Sequence, residues 1–329
     1  MRHLTTQGRW LLEVGLEPIA GARFQPTGFP DIGAATYERP VRDNGPVRTV
    51  TALVVESTQS MANHLEATAW DKGNQAPEAV FDGLPYVRVV AAEDGRYLTS
   101  SRTEAHRLAS AFIKDAALDG QEMRDVIRDR LGLREDTPLA PREIASAVFA
   151  LDPFCLVHGV FFAESAKVWP GQPKVARALT AFIEATDVAR AESGGVKRDD
   201  VRHQIGETGG AAEGYGFVPF HRTEWSAADI TASFVLDRRQ LASYGLPDEA
   251  TELLEAIAHW EIRTLLDEGL RLRTFCDLAA SGSVDEALPP KAELDTRVRD
   301  LVSSCRSLLD GGDPLVVEWS PKTKTKTKS

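Results

Sequence analysis

The amino-acid sequence predicts one domain of mixed α and β structure, either α/β or α+β, that carries large insertions. Strand-like and helix-like segments alternate through most of the 329 residues, and neither an internal repeat nor a clear linker divides them. A composition of 43% hydrophobic and 26% charged residues is ordinary for a globular protein with a full core. We expect residues 1–319 to form this domain and the lysine-rich end, residues 320–329, to be a disordered tail.

Seven segments are predicted to be β-strands, because their apolar residues alternate with polar ones or form short continuous runs. These segments are residues 10–16, 49–55, 86–91, 156–162, 230–236, 270–278 and 315–319.

Seven other segments are predicted to be helices from the spacing of their apolar residues. In the first, Ser57 can cap the helix, and Met61, Leu65 and Ala69 share one stripe. The predicted helices are residues 58–70, 104–117, 121–133, 142–151, 175–191, 249–267 and 294–309.

The first loop, residues 21–37, directly follows the first strand. Its glycines and two prolines exclude a helix or a central strand, and loops of this length are functional or disordered. Its two phenylalanines argue against disorder. Backbone amides freed by glycine, together with the Arg23 guanidinium, suit a phosphate, and aromatic rings suit a base; a packed surface loop explains the composition equally well.

Three other segments present side chains that suit RNA. Along the strand 270–278, the alternation places Arg271, Arg273, Phe275 and Asp277 on one face, where arginines and an aromatic ring can bind phosphates and bases. The alternative is that the arginines form salt bridges to the preceding acidic helix.

At the start of the helix 58–70, Gln59, Ser60 and Asn63 lie off the apolar stripe. Short polar side chains there can hold a phosphate with help from the helix dipole, or are simply caps and solvated positions.

The glycine-rich segment 192–216 predicts a mobile hairpin or open loop. Lys197 and Arg198, beside Gly194 and Gly195, suit a backbone phosphate at its tip.

The net charge of −11 is unfavourable for a protein that binds RNA, and without the four lysines of the tail it is −15. Seven acidic residues lie between positions 248 and 268. A binding groove needs only a local basic stripe, so the acidity argues against indiscriminate RNA binding rather than against all RNA binding.

Little in the chain predicts redox, metal or membrane chemistry. The three cysteines, Cys155, Cys276 and Cys305, are far apart, so we expect buried thiols in a reducing cytoplasm rather than disulfides or a zinc site. No apolar run approaches a membrane span, and no signal peptide is recognisable. Nucleotide-binding and hydrolase motifs are absent, so we expect neither a cofactor nor a metal.

The histidines have ordinary structural interpretations. His158, between apolar neighbours, is expected to be a satisfied core residue, and His106, beside Glu104 and Arg107, is expected to take part in a structural salt link at a helix start. The loop residues Asp199, Asp200 and His203 are poor evidence for a metal site.

Several segments together resemble the backbone subunit of the CRISPR type I-G (formerly I-U) interference complex, a RAMP-superfamily protein of the Cas-seven kind. They occur in the family's order and run through most of the chain. They are residues 21–37 (GARFQPTGFPDIGAATY), 55–66 (VESTQSMANHLE), 84–87 (LPYV), 99–101 (TSS), 104–108 (EAHRL), 158–161 (HGVF), 194–197 (GGVK) and 269–274 (GLRLRT).

The resemblance implies an α+β fold with a ferredoxin-like (RNA-recognition-motif) core, called the palm in RAMP proteins. It also implies a helical finger insertion at about residues 104–151 and a thumb-like hairpin at about 192–216. The implied function is a non-catalytic subunit that binds CRISPR RNA, stacks with other copies of itself and with other Cascade subunits, and meets target DNA through the guide. The RNA-binding residues expected on this basis are Arg23, Phe24, Gln25, Thr27, Gln59, Ser60, Asn63, Lys197, Arg198, Arg271 and Arg273, with Phe24 either stacking on a base or packing.

Two alternatives stay open. One is a RAMP-type endoribonuclease that processes guide RNA or cleaves target RNA, with Asp31, His106 or His158 as candidate catalytic residues. The other is a scaffold whose loops bind only protein partners.

Overall fold

The structure, a computed structural model, describes residues 1–29, 31–42, 45–197 and 218–321. Its strands are β1 (Arg2–Thr5), β2 (Arg9–Pro18), β3 (Gly28–Phe29), β4 (Gly33–Ala34), β5 (Thr36–Val41), β6 (Arg48–Glu56), β7 (Trp70–Asp71), β8 (Ala76–Pro77), β9 (Val87–Ala91), β10 (Tyr97–Ser100), β11 (Ala117–Leu118), β12 (Gln121–Glu122), β13 (Val160–Phe161), β14 (Lys174–Val175), β15 (Leu179–Lys197), β16 (Val218–Asp237), β17 (Leu270–Arg273), β18 (Cys276–Ala280) and β19 (Leu315–Trp319).

The α-helices are α1 (Thr58–Thr68), α2 (Ala111–Lys114), α3 (Met123–Arg130), α4 (Pro141–Leu151), α5 (Phe154–His158), α6 (Arg238–Ser243), α7 (Asp248–Glu268) and α8 (Lys291–Ser304). Short 3-10 helices lie at Ala79–Phe81, Arg107–Ala109 and Arg306–Leu308. In the described part of the chain, no helix is long and apolar enough to cross a membrane.

A large antiparallel sheet forms the centre of the molecule. Its strand order is β17-β18-β2-β16-β15-β6-β5, with β1 added along β2. Alternate residues of β2, namely Leu12, Val14 and Leu16, are buried. The helices α1 and α7 pack on each other, and they contact β15 and β16 respectively. The helix α1 begins where sequence predicts, because the Ser57 hydroxyl accepts a hydrogen bond from the Ser60 amide at 3.3 Å.

The predicted α+β class is confirmed. Along the chain, β2, α1, β15, β16, α7 and the β17–β18 pair follow the order β-α-β-β-α-β, which is the order of ferredoxin-like folds. In space, the fourth of these strands lies beside the first, the first beside the third, and the third beside the second. This arrangement is compatible with a ferredoxin-like core, which stays a prediction; β5 and β6 extend the sheet beyond β15.

A second sheet, with the order β10-β9-β19-β11-β12, packs beside the first. Its central strand, β19, comes from the C-terminal part of the chain and runs parallel to β9. The predicted helical insertion, residues 104–151, contains α2, α3, α4, a 3-10 helix and the small β11–β12 hairpin.

Three of the predicted helices and strands outside residues 270–278 are wrong. Residues 175–191, predicted as a helix, lie mostly in β15, where Leu179, Ala181 and Ile183 are buried at alternate positions. The alanines of this segment favour a helix by composition, but its buried residues recur at every second position, which is the period of a strand. Residues 104–117 form only a 3-10 helix and the four-residue α2, and residues 156–162 are divided between the end of α5 and β13.

The two longest strands, β15 and β16, pair along almost their whole length, from Leu179 opposite Leu236 to Lys197 opposite Val218. We call this pair the long ribbon. The first six residues of the predicted thumb-like hairpin, 192–197, belong to β15, and residues 198–217 lie outside the described residues.

Candidate nucleic-acid interface

The first loop is held in place by main-chain hydrogen bonds to two strands, β16 and β6, and to the turn between β17 and β18. Phe24 exchanges two bonds with Trp225 of the long ribbon, at 2.8 and 2.9 Å. The Gln25 amide donates to the Phe275 carbonyl at 2.7 Å, and the Thr27 amide donates to the Val55 carbonyl at 2.9 Å. Beyond these contacts β3 and β4 pair as a small hairpin. The first loop is therefore fixed to the rest of the fold by its main-chain hydrogen bonds.

Phe24 is a packing residue rather than a base-stacking residue. Its side chain is 1% exposed and belongs to the hydrophobic core. Of its two predicted roles, the structure contradicts base stacking, because no face of the ring is open to a nucleotide.

Arg273 is the anchor of the loop. Its guanidinium forms an ion pair with Glu56, which is 1% exposed, and donates to the carbonyls of Gln25 at 2.9 Å and Val55 at 3.3 Å. These bonds join β17 to the first loop and to β6. The acid that pairs with Arg273 is thus Glu56, not a residue of the acidic helix α7, the alternative considered from sequence.

The single strand predicted over residues 270–278 is wrong. The chain turns at Thr274 and Phe275, so β17 and β18 form a tight hairpin in which Arg271 lies opposite Asp277. The predicted row of side chains on one face does not exist. Arg271 is exposed beside this hairpin, and Phe275 is 47% exposed at its turn.

A cleft of about 740 Å³ opens between the first loop and the long ribbon, and we call it the first-loop cleft. Gln25 and Thr27, both predicted to contact RNA, are half-buried in its wall. Asp31 of the loop also lines it. The ribbon contributes Arg190, His221, Arg222, Thr223 and Trp225.

Arg222 is the cation of this cleft that is free to bind an anion. Its guanidinium carbon lies 3.8 Å from the ring centroid of Phe275 and 5.6 Å from that of Phe220, and both rings are about half exposed. No carboxylate among the described residues lies within ion-pair distance of it. An arginine stacked on exposed rings beside a cleft provides a phosphate contact and surfaces for bases.

The other cations near the cleft are engaged with acids. Arg190 and His221 both contact Glu192, at 2.8 and 2.6 Å, on the exposed side of the ribbon. Arg23, half exposed, lies 3.1 Å from the buried Glu224 carboxylate. These pairs hold the cationic groups beside Arg222 and moderate their charge.

The remaining predicted site residues do not line the first-loop cleft. Gln59 and Asn63 are exposed on α1, and Ser60 is half-buried there. Asn63 lines a separate cavity of about 270 Å³. The backbone of Lys197 ends β15, its side chain is not described, and Arg198 lies outside the described residues.

The candidate catalytic residues of the endoribonuclease alternative are not brought together. Asp31 lines the first-loop cleft, whereas His106 and His158 line a different one. His158 is buried, and its Nε2 lies 2.9 Å from Glu261. Burial lowers the pKa of His158 to about 4 and raises the pKa of Glu261, because it disfavours the charged form of each group. The prediction of a core histidine is confirmed, but only its Nε2 is paired, because the buried Nδ1 has no hydrogen-bond partner among the described residues.

His106 is exposed, and the expected salt link is made by its neighbour. Arg107 forms two hydrogen bonds with the Glu66 carboxylate, at 2.6 and 2.7 Å, in the buried interior. Glu66 itself is therefore a structural residue of α1. The described residues contain no group of three His, Cys, Asp or Glu side chains that could hold a metal. All three cysteines are buried and free, as expected.

Sequence reasoning missed Arg190, Phe220, His221 and Arg222. Residues 175–191 were predicted as a helix and the next strand was predicted to start only at 230, so none of these four residues was assigned to a strand. The signal was present in β16, where Phe220 and Arg222 are two residues apart and therefore share a face.

Comparison with known proteins agrees with the resemblance stated from sequence. The family model of CRISPR-associated protein GSU0053 matches residues 11–190, more than half of the chain. No curated protein matches. A solved chain described as "CRISPR RNA-guided surveillance complex, pre-nicking" aligns over 78% of this chain and 68% of its own length, with 10% identity and a TM-score of 0.35, a similarity too low to carry an argument. The predicted kinship with CRISPR-associated proteins of the Cas-seven kind is confirmed, and the chain belongs to the family of CRISPR-associated protein GSU0053.

Proposed function

We propose that the protein is a non-catalytic RNA-binding subunit of a type I CRISPR interference complex, and that several copies bind along the guide RNA. Membership of a CRISPR-associated family supports a role in this defence system. The partners proposed are CRISPR RNA, further copies of the chain, the other Cascade subunits and, through the guide, target DNA.

The observation that carries the proposal is Arg222, stacked on Phe275 beside the first-loop cleft. A single-stranded RNA offers a phosphate at each nucleotide and a flat base beside it. The first-loop cleft offers a free guanidinium, two exposed rings and the polar side chains of Gln25 and Thr27. None of these groups reads a base sequence by itself, which suits a subunit that leaves recognition to base pairing.

The placement of the candidate catalytic residues supports the non-catalytic part of the proposal. Asp31 lines the first-loop cleft without His106 or His158, and His221, which lines the same cleft, contacts Glu192. Metal-dependent cleavage of RNA that is lost in Asp31→Ala would overturn this part and favour the endoribonuclease.

The test is the affinity of the full chain for a fluorescein-labelled 30-nucleotide single-stranded RNA, measured by anisotropy. Replacing Arg222 with Glu should weaken binding about ten-fold or more, because base stacking and phosphate pairing are each worth about 1–3 kcal/mol. The matched control is Arg134→Glu, the same charge reversal at an exposed arginine outside the cleft. Equal losses in both variants, or none in Arg222→Glu, would contradict the assignment of the first-loop cleft.

A further inference from the structure

A second cleft, of about 520 Å³, lies away from the first loop. It is bounded by the start of the 3-10 helix Arg107–Ala109 and by the β13–β14 hairpin. Arg177, at its edge, donates to the Thr58 carbonyl at 2.7 Å, so the cleft adjoins the first turn of α1. We call it the His106–Arg177 cleft, and its size is that of a ligand site.

The charged side chains that line this cleft are all basic. Lys174 and Arg177 face it beside the imidazole of His106, and no Asp or Glu of the described residues is in its wall. Arg107 is also present, but its charge is balanced by two hydrogen bonds to Glu66. In a chain of net charge −11, a concentration of cations without acids is unusual.

Arg177 lacks the partner that its position requires. It is half-buried, and its one side-chain hydrogen bond goes to a neutral carbonyl. The pKa of Arg177 is lowered, because burial and the nearby charge of Arg107 both disfavour its cation. Part-buried charges are stabilised by an opposite charge, and the described residues supply none within ion-pair distance.

The rim of the cleft carries an aromatic ring. Phe161 is 48% exposed, and the Lys174 ammonium lies 5.8 Å from its ring centroid. The backbone beneath is closely fitted: Gly159 has φ +82°, and a Cβ there would lie 3.0 Å from the Arg177 amide nitrogen and the Val175 carbonyl oxygen. This closeness fixes the positions of Lys174 and Arg177 relative to the floor of the cleft.

We infer that the His106–Arg177 cleft is a second nucleic-acid site, which holds the phosphodiester backbone of a single strand between Lys174 and Arg177 while Phe161 stacks on a base. The inference rests on the proposed function, because it assigns a further contact to the same kind of ligand. The exposed Gln59 of α1 follows Thr58, whose carbonyl accepts a hydrogen bond from Arg177, so Gln59 is close in sequence to the edge of this cleft. The shared chemistry is the phosphodiester, whether it comes from RNA or DNA.

The test uses the full chain and two labelled 30-nucleotide single strands of the same sequence, one RNA and one DNA. In Lys174→Glu, affinity for the bound strand should fall at least five-fold, and the slope of log affinity against log salt should become shallower by about one. The matched control is Lys167→Glu, at an exposed lysine outside the cleft. Arg177→Gln, which keeps a donor for the Thr58 carbonyl, should also weaken binding, and thermal unfolding checks that each variant is folded.

The outcomes separate this inference from the proposed function. If Arg222→Glu weakens RNA binding and neither Lys174→Glu nor Arg177→Gln does, the second site is overturned and the proposed function stands. If the folded wild-type chain and its complex bind no RNA, the proposed function fails. A loss confined to the DNA strand would support the phosphodiester site and identify DNA as its source.

Discussion

Two arginines near the first loop have opposite roles, and their partners explain why. Arg273 is bound to buried Glu56 and to two carbonyls, so its charge is used inside the protein. Arg222 is stacked on an exposed ring and has no carboxylate of the described residues beside it. A sequence shows which arginines are close to an aromatic residue along the chain, but not which of them a distant acid neutralises. Glu56 is 217 residues away from Arg273 along the chain.

Replacing Arg273 with Met should therefore destabilise the fold. The change leaves the Glu56 carboxylate buried without its cation, which costs about 3 kcal/mol in comparable buried pairs. Urea unfolding measures the loss. Arg271→Met, at the exposed neighbour, should change stability by no more than about 0.5 kcal/mol. Similar values for the two variants would contradict the anchoring role of Arg273.

His259 makes the stability depend on pH. Its ring packs on Trp10 at a centroid distance of 4.7 Å, and burial lowers the pKa of His259 to about 4. In the unfolded chain the pKa of His259 is about 6.5, so between about pH 6.5 and 4 the unfolded state binds a proton at this residue and the folded state does not. The free energy of unfolding therefore falls as the pH drops from about 6.5 towards 4.

We predict that wild type loses about 2 kcal/mol more than His259→Gln between pH 7 and pH 5, as measured by urea unfolding at each pH. His3→Gln, at an exposed histidine, serves as the control and should retain the wild-type pH dependence. Parallel pH profiles for wild type and His259→Gln would show that His259 is not held neutral.

Among the elements, β15 shows where sequence reasoning fails. Four alanines between positions 181 and 191 favour a helix by intrinsic propensity, yet the buried positions alternate. Pairing with β6 on one side and β16 on the other decides the conformation, and β6 lies far from β15 in sequence. Propensity is a weak guide when tertiary pairing supplies most of the stability.

The strand assignment predicts the sign of an alanine-to-valine change. At exposed Ala189 in β15, valine should stabilise by a few tenths of a kcal/mol, because β-branched residues suit strands. At exposed Ala292 in α8, the same change should destabilise by about 0.5 kcal/mol. Thermal or urea unfolding gives both values, and destabilisation at Ala189 would contradict the strand.

Elements with strong local signals were predicted well. The capping serine and apolar stripe located α1, continuous amphipathic spacing located α7, and β-branched runs located β9 and β19. The first loop was identified as unusual because glycine and proline exclude regular structure. Its anchoring was not predictable, since Phe24, Gln25 and Thr27 bond to strands more than 20 residues away.

At the scale of the whole molecule, the acidic balance is compatible with RNA binding because much of the charge is neutralised within the fold. On α7, Glu255 pairs with Arg238 and Asp267 with Arg263, while Glu261 is buried against His158. In the described part of the chain, Arg222, Lys174 and Arg177, which line the two clefts, are among the cations that have no ion-pair partner. Local charge, not net charge, decides where an anion binds.

This distribution predicts a shallow dependence of RNA affinity on salt. If RNA contacts only the three cations of the two clefts, and each neutralised phosphate of a single strand contributes about 0.7, the slope of log affinity against log salt should be about −2. Anisotropy titrations at salt concentrations from about 50 to about 200 mM measure this slope. A slope as steep as about −7 would indicate a broad basic surface that the described residues do not present.

The most direct measurement is to co-express the chain with its partner subunits and a CRISPR array, purify the particle, and sequence the RNA that it retains. Our account predicts spacer-containing RNA of uniform length with wild type and Arg134→Glu, and its loss with Arg222→Glu. A particle that assembles without RNA, or that keeps the same RNA when Arg222 is replaced by Glu, would contradict the assignment of the first-loop cleft as a guide-RNA site.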